Sequence, residues 1–192
     1  MKFVGIDYSM NSPAICLHDK TAGSVEFHYL TTTKKYEGVF KFSNGWECTG
    51  HTLDCGPSWS SDQERFSAIS GWALWVIRTR LFGKPTSITI EGYAMGSKGL
   101  VFNIAENTGL LKYKLWLGDY KFNIAAPSAI KKLATGKGNA NKEAMDEAFT
   151  LETKINVKAT LGASASSWNP SSDIIDAYYM MRYSELVYST SK

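Results

Sequence analysis

The chain has little of what would assign many proteins to a class outright. It has three cysteines, Cys16, Cys48 and Cys55, in 192 residues, too few and too odd in number for a disulfide framework. No apolar run approaches the ~20 residues of a membrane-spanning helix. The opening "MKFVGIDYS" lacks a long apolar segment and a cleavage site, so no secretory leader is expected and a cytoplasmic setting is. No Gly-x-Ser-x-Gly occurs, and none of His18, His28 or His51 stands in a triad context. "GKGNANK" hints at a nucleotide loop. A P-loop needs a glycine five places before Gly136 and Ser or Thr after Lys137, where this chain has Lys131 and Gly138. "CTGHTLDC" brings Cys48, His51 and Cys55 close together, but the tight CxxC pair and fourth ligand of a zinc site are missing. That stretch reads as a polar loop with incidental thiols.

What is present is enough for one compact domain over 1–192: 44% of residues are hydrophobic and 13% aromatic. There are no internal repeats and no linker. The net charge of +3 is small, but its distribution is uneven. Between Lys112 and Lys142 lie seven of the 21 basic residues and one of the 18 acids, Asp119. Such a local excess suggests either a polyanion-binding face or an ordinary solvated surface.

Periodicity predicts strands in "KFVGIDYS", "SPAICLHD" and "GSVEFHYLTTT", forming an antiparallel meander. Residues 36–61 are irregular and read as a loop or hairpin insertion. A helix is expected from the Ser/Asp cap at Ser61 to Gly83, with Phe66, Ile69, Ala73, Val76 and Ile77 at helical spacing. "TSITIEGYA" is a strand ending at Glu91, and a second helix spans Leu100 to Leu117. "KFNIAAP" is a strand stopped by Pro127. "PSAIKKLA" is a short helix, another follows "TGKGNAN", and a long helix begins at "WNPSSD". The expected fold is α/β, a mixed five-stranded sheet, its first three strands antiparallel, flanked by helices.

One charged residue, Asp7, interrupts the apolar and small-residue run "VGIDYSMNSPAICL". Burying a lone carboxylate is costly. Asp7 lies in the first strand, Glu91 ends the fourth, and Asp173 and Asp176 share one face of the last helix. If the first and fourth strands are neighbours, the four acids converge and need neutralising. Oxygen-only ligands favour Mg²⁺ or Mn²⁺, and two such ions suit phosphodiester hydrolysis. Taken singly, Asp7 reads as a turn cap, Glu91 as a solvated strand end and Asp173 as a helix-start residue. Their joint order favours the metal reading.

With these residues in place, the chain resembles the RuvC family of Holliday junction resolvases, of the ribonuclease H-like superfamily. "GIDYSMNSPAICL" is similar to that family's opening strand pair with its first metal aspartate. "ITIEGYAMGSKGLVFNIAENTGLL" is similar to its strand-end glutamate and following helix, "SAIKKLATGKGNANKEAM" to its basic segment, and "SSDIIDAYYM" to its closing aspartate pair. The resemblance implies a ribonuclease H-like fold, with Asp7, Glu91, Asp173 and Asp176 as catalytic ligands of two Mg²⁺ or Mn²⁺ ions. It also implies Lys131 and Lys142 near the scissile phosphate, with Lys132 or Lys137 as alternatives to Lys131. Lys98, Lys131, Lys132, Lys137 and Lys142 are the expected DNA contacts.

Further expectations are a homodimer acting on four-way junctions and other branched DNA, with helix Leu100–Leu117 (Phe102, Ile104, Leu110, Leu111, Leu115) as interface or as core. Tyr93 and Phe102 are candidates to insert at the junction centre, core packing being the other expected fate of Phe102. Two departures from the family stand out: the long stretch Tyr36 to Ser61, and Tyr8-Ser9 after the first aspartate. They suggest a phage or organelle relative, hence a host cytoplasm or an organelle matrix. The rival readings are an RNA-processing nuclease of the same fold, a non-catalytic junction binder, and an actin–hexokinase-like phosphotransferase, for which the chain is too short.

Overall fold

The computed structural model describes residues 1–53, 59–81, 83–92 and 101–190. Strands β1 (Lys2–Asp7), β2 (Ala14–Asp19) and β3 (Ser24–Leu30) form the expected antiparallel meander. A hairpin of β4 (Gly38–Lys41) and β5 (Glu47–His51) follows, then helix α1 (Asp62–Arg80), β6 (Ser87–Glu91), α2 (Val101–Leu117) and β7 (Phe122–Ala125). Four helices complete the chain: α3 (Pro127–Thr135), α4 (Lys142–Thr153), the short α5 (Val157–Thr160) and α6 (Ser171–Thr190). Among the described residues, no helix is long and apolar enough to cross a membrane.

The sheet has seven strands in the order β4-β5-β3-β2-β1-β6-β7, not five. The added pair is the hairpin inside the irregular stretch, whose second strand runs parallel to β3. Its inward positions include Cys48 and Gly50, which are not the β-branched residues that announce a strand. Gly50 is required there: a Cβ would lie 1.9 Å from the carbonyl oxygen of Tyr36, and that oxygen accepts from the buried Tyr29 hydroxyl at 2.6 Å.

The polar-loop and zinc readings of this stretch both yield to the hairpin. Cys48 and His51 are three apart on one strand and therefore point to opposite faces. Cys48 is sealed in the core, whereas the His51 ring stacks on His28 at 5.3 Å and meets Trp72 and Trp75 edge-on. Burial, with His28 and Arg80 nearby, pushes the His51 pKa down to about 4. Cys55 lies outside the described residues.

Strand alternation divides the core between the two faces of the sheet. Val4, Ile6, Ile88 and Ile90 pack beneath α1 and α2. Phe3, Cys16 and Phe27 pack on the opposite face with Phe149 of α4 and Ile174 and Tyr178 of α6. Helix α6 crosses β1 so closely that a Cβ on Gly5 would sit 2.1 Å from the Ala177 carbonyl oxygen and 2.2 Å from the Met181 nitrogen. Gly5 therefore sets how near the final helix comes to the strand that ends in Asp7.

Helix α2 divides its expected apolar set. Leu111 and Leu115 are buried against its own domain, and Ile104 and Leu110 are half-buried. Phe102 is 77% exposed, so core packing is not its fate. Tyr113 and Trp116, stacked at 6.1 Å, are exposed on the same helix.

Candidate active site

Strands β1 and β6 are parallel neighbours in register, with Ile6 opposite Ile90. Asp7 and Glu91 each follow that pair by one residue and leave the sheet side by side at its carboxyl end. They share the strand face on which α6 lies. Asp173 sits in the first turn of α6 and Asp176 follows three residues on, one turn along the same side. Asp7 and Asp173 are each 8% exposed, while Glu91 and Asp176 are half-buried.

The acids act on one another. Burial holds the Asp7 carboxyl well above its usual range, and Asp173, Glu91 and Asp176 push it further while Lys142 opposes them. Asp176 is pushed up to about 7 by burial, then by Glu91 and Asp173, against Lys131 and Lys142. Burial raises Asp173 to about 6, held there by a Ser12 hydrogen bond, Lys142 and Ser172. Glu91 is raised by burial and by Asp173, against the charge of Lys131. All four predicted acids therefore occupy one electrostatic neighbourhood.

Two lysines answer them. Lys131 comes from α3, which Pro127 opens and Gly136, at φ 78°, closes. Lys142 begins α4, where the Asn141 side chain caps the helix by accepting from the Ala144 amide at 3.0 Å. Lys132 and Lys137 are exposed, and of the α3-side lysines it is Lys131 that depresses the acids. The wider basic run is not one face: Lys114 instead ties α2 to α1 by donating to the Ser67 carbonyl at 2.9 Å. Lys98 and Tyr93 lie outside the described residues.

A polar web missed by sequence reasoning fixes Asp173. Ser12, in the turn after β1, donates to Asp173 Oδ2 at 2.7 Å and accepts from Asn169 Nδ2 at 3.1 Å. Ser172 donates to Asn169 Oδ1 at 3.2 Å and accepts from Lys142 Nζ at 3.3 Å. The signal available in the chain was the small polar cluster beside each aspartate, "MNSP" after Asp7 and "NPSS" before Asp173.

Four oxygen-donor side chains opposed by two lysines leave an excess of negative charge when ionised. That chemistry fits hard divalent cations. Among the described residues, however, no three His, Cys, Asp or Glu side chains already form a cluster able to hold a metal ion. The acids share a field, and Asp173 is engaged by hydroxyls, without a ready-formed cage.

No protein-family model and no curated protein sequence matches the chain. Among solved structures it is similar to Thermus thermophilus RuvC, at 16% identity and a TM-score of 0.55 over 97% of this chain and 96% of that one. It is similar also to T. thermophilus RuvC in complex with a Holliday junction substrate, at 15% identity and a TM-score of 0.58 over 99% and 97%. The Fowlpox virus resolvase in complex with substrate Holliday junction DNA is a more distant likeness, at 13% identity and a TM-score of 0.46 over 97% and 99%. The fold is RuvC-like, a ribonuclease H-like mixed α/β sheet, here of seven strands flanked by helices.

Proposed function

We propose that this chain, built on the RuvC-like fold, is a structure-selective, metal-dependent endodeoxyribonuclease that resolves Holliday junctions and other branched DNA by paired nicks. The observation that carries the reading is the gathering of Asp7, Glu91, Asp173 and Asp176 from two strand ends and one helix, with Lys131 and Lys142 beside them. These four carboxylates would hold two Mg²⁺ or Mn²⁺ ions. When bound, such ions activate water and stabilise the departing 3′ oxygen in an in-line displacement. Ser12 keeps the Asp173 carboxylate oriented, the task of a group that hydrogen-bonds a ligand from behind. Lys142 and Lys131 offer compact positive charge to the scissile phosphate and its neighbours. Lys98, Lys132 and Lys137 would contact flanking phosphates, setting affinity without reading sequence.

The chain would act as a homodimer, because an isologous pair matches the two-fold symmetry of a four-way junction. The exposed Phe102, Tyr113 and Trp116 of α2 are the side chains available for that contact. A host cytoplasm or an organelle matrix would be its setting.

Asp7→Asn tests the reading. It should abolish Mg²⁺-dependent cleavage and leave junction binding intact; full cleavage by this variant, or cutting that survives chelation, would refute the metal assignment. Four-way and three-way junctions, a flap, a linear duplex and an RNA–DNA hybrid, compared side by side, separate the substrates. Equal cutting of the linear duplex removes the resolvase reading, and preference for the hybrid moves the chain to RNA processing. One rival on the same fold is a non-catalytic junction binder. That rival predicts junction binding with no cutting in either metal.

A further inference from the structure

A cavity of about 680 Å³ opens at the same end of the sheet as the four acids, on the face beneath α1. Its size falls in the usual range for small-ligand sites. Met10 and Asn11 of the turn after β1 form one wall, Thr52 and Leu53 after β5 another, and Trp59 and Arg65 close it. The β4–β5 hairpin thus leads directly into the site. Among the described residues lining it, Arg65 is the charged one and none is acidic; Thr52 donates to Glu37 Oε1 at 3.0 Å, so the place for a phosphate is the Arg65 side.

We infer that this cavity takes one unstacked nucleotide of the branched DNA, its base against Trp59 and its phosphate toward Arg65. The inference rests on the nuclease reading and adds a substrate-selecting subsite to it. A half-buried indole gives a stacking surface for any base. Thr32 adds a hydroxyl that both donates and accepts, while the Thr31 hydroxyl accepts from the Thr33 amide at 3.0 Å. Arg65 Nη2 donates to the Met10 carbonyl and to Asn11 Oδ1, which pins the wall; a guanidinium carries five donors in all. The same turn reaches the acids, since Ser12 lies next to Asn11 and donates to Asp173. A nucleotide in the cavity therefore presses on the segment that orients a catalytic carboxylate. Taking a base out of a stack costs least where it is already unpaired, so the cavity favours junctions with an open branch point.

The test uses the full chain and four-way junctions carrying one unpaired 2-aminopurine nucleotide at the branch point, with a fully paired linear duplex as control. The wild type should quench the 2-aminopurine. Trp59→Phe should retain most of the effect. Trp59→Ala should lose it and bind that junction about 5- to 150-fold more weakly, with affinity for the linear duplex unchanged. Thr32→Trp, which narrows the cavity and keeps the Trp59 indole, should likewise weaken the signal. Unchanged quenching and affinity in Trp59→Ala and Thr32→Trp, with junction cleavage intact, overturns the cavity assignment alone. A wild type that binds no branched DNA overturns the nuclease reading and this one with it.

Discussion

The Ser12 hydroxyl donates to Asp173 Oδ2 at 2.7 Å across 161 residues of chain, joining the turn after the first strand to the start of the last helix. That bond is the largest influence holding the Asp173 pKa down against burial. In Ser12→Ala the carboxyl should therefore rise above about 6, and the acidic limb of the cleavage profile should move to higher pH. Losing a group that orients a ligand costs about 10- to 100-fold in metal affinity or activity. Cleavage rates across pH and a Mg²⁺ titration measure both effects, and an unshifted profile would show that Ser12 does not orient the acid.

Asp173 and Asp176, raised to about 6 and about 7, hold protons in the folded chain where an unfolded aspartate has lost them. The folded state binds more protons between about pH 4 and pH 7, so their contribution to stability falls as pH rises through that window. Asp19, Glu26 and Glu185, whose pKa values are lowered, act oppositely and at more acidic pH. Asp176→Asn isolates the site. Without divalent metal at pH 8 it should melt higher than the wild type, by about 2–4 °C per kcal/mol of repulsion relieved, and the gap should close at pH 4. Thermal melts at both pH values measure this, and an equal gap at each would show that ionisation is not its cause.

Lysine removal separates chemistry from affinity. Lys142→Ala should slow cleavage sharply at saturating DNA and raise the pKa of Asp7, Asp173 and Asp176, because Lys142 lowers all three. Lys132→Ala, an exposed position, should reduce the log–log salt slope of binding by about one unit with little effect on the saturated rate. Binding isotherms across salt concentration, paired with single-turnover rates, distinguish the two.

Gly5→Ala should unfold the domain or destabilise it by more than about 3 kcal/mol. The added methyl would overlap the Ala177 carbonyl and the Met181 amide, both backbone atoms of α6. Chemical denaturation measures the loss. A stable Gly5→Ala protein would mean that α6 can retreat from β1, and its cleavage rate would then report how much the acids depend on that approach.

The exposed face of α2 carries the dimer prediction. Tyr113→Ser with Trp116→Ser leaves the buried Leu111 and Leu115 untouched, so the fold should persist while the solution mass drops from dimer to monomer. Light scattering measures the mass. Junction cutting by the double variant should yield single nicks in place of paired ones.

The sheet's centre and the four acids were legible because each had a clear local signal. β1 and β6 are short apolar strands ending in a carboxylate, and α6 opens at a marked polar turn. Residues 36–61 stay open between a loop and a hairpin in the sequence, because Cys48 and Gly50 are chosen to fit Tyr29 and Tyr36, a tertiary demand that strand propensity does not register. Phe102 was ambiguous because helical spacing gives apolar positions without saying which of two faces meets the core. Ser12 and Asn169 were missed for a different reason: their partners lie more than 150 residues away, and only folding brings them together.

Of the first eleven residues of α6, all but Asp176 are buried. A single-residue deletion between Asp173 and Asp176 would rotate everything beyond it by about 100° relative to Asp173, turning apolar rings out of their packing as it separated the two acids onto different sides. The helix is thus one mechanical part, and its register cannot drift in one respect and be kept in the other.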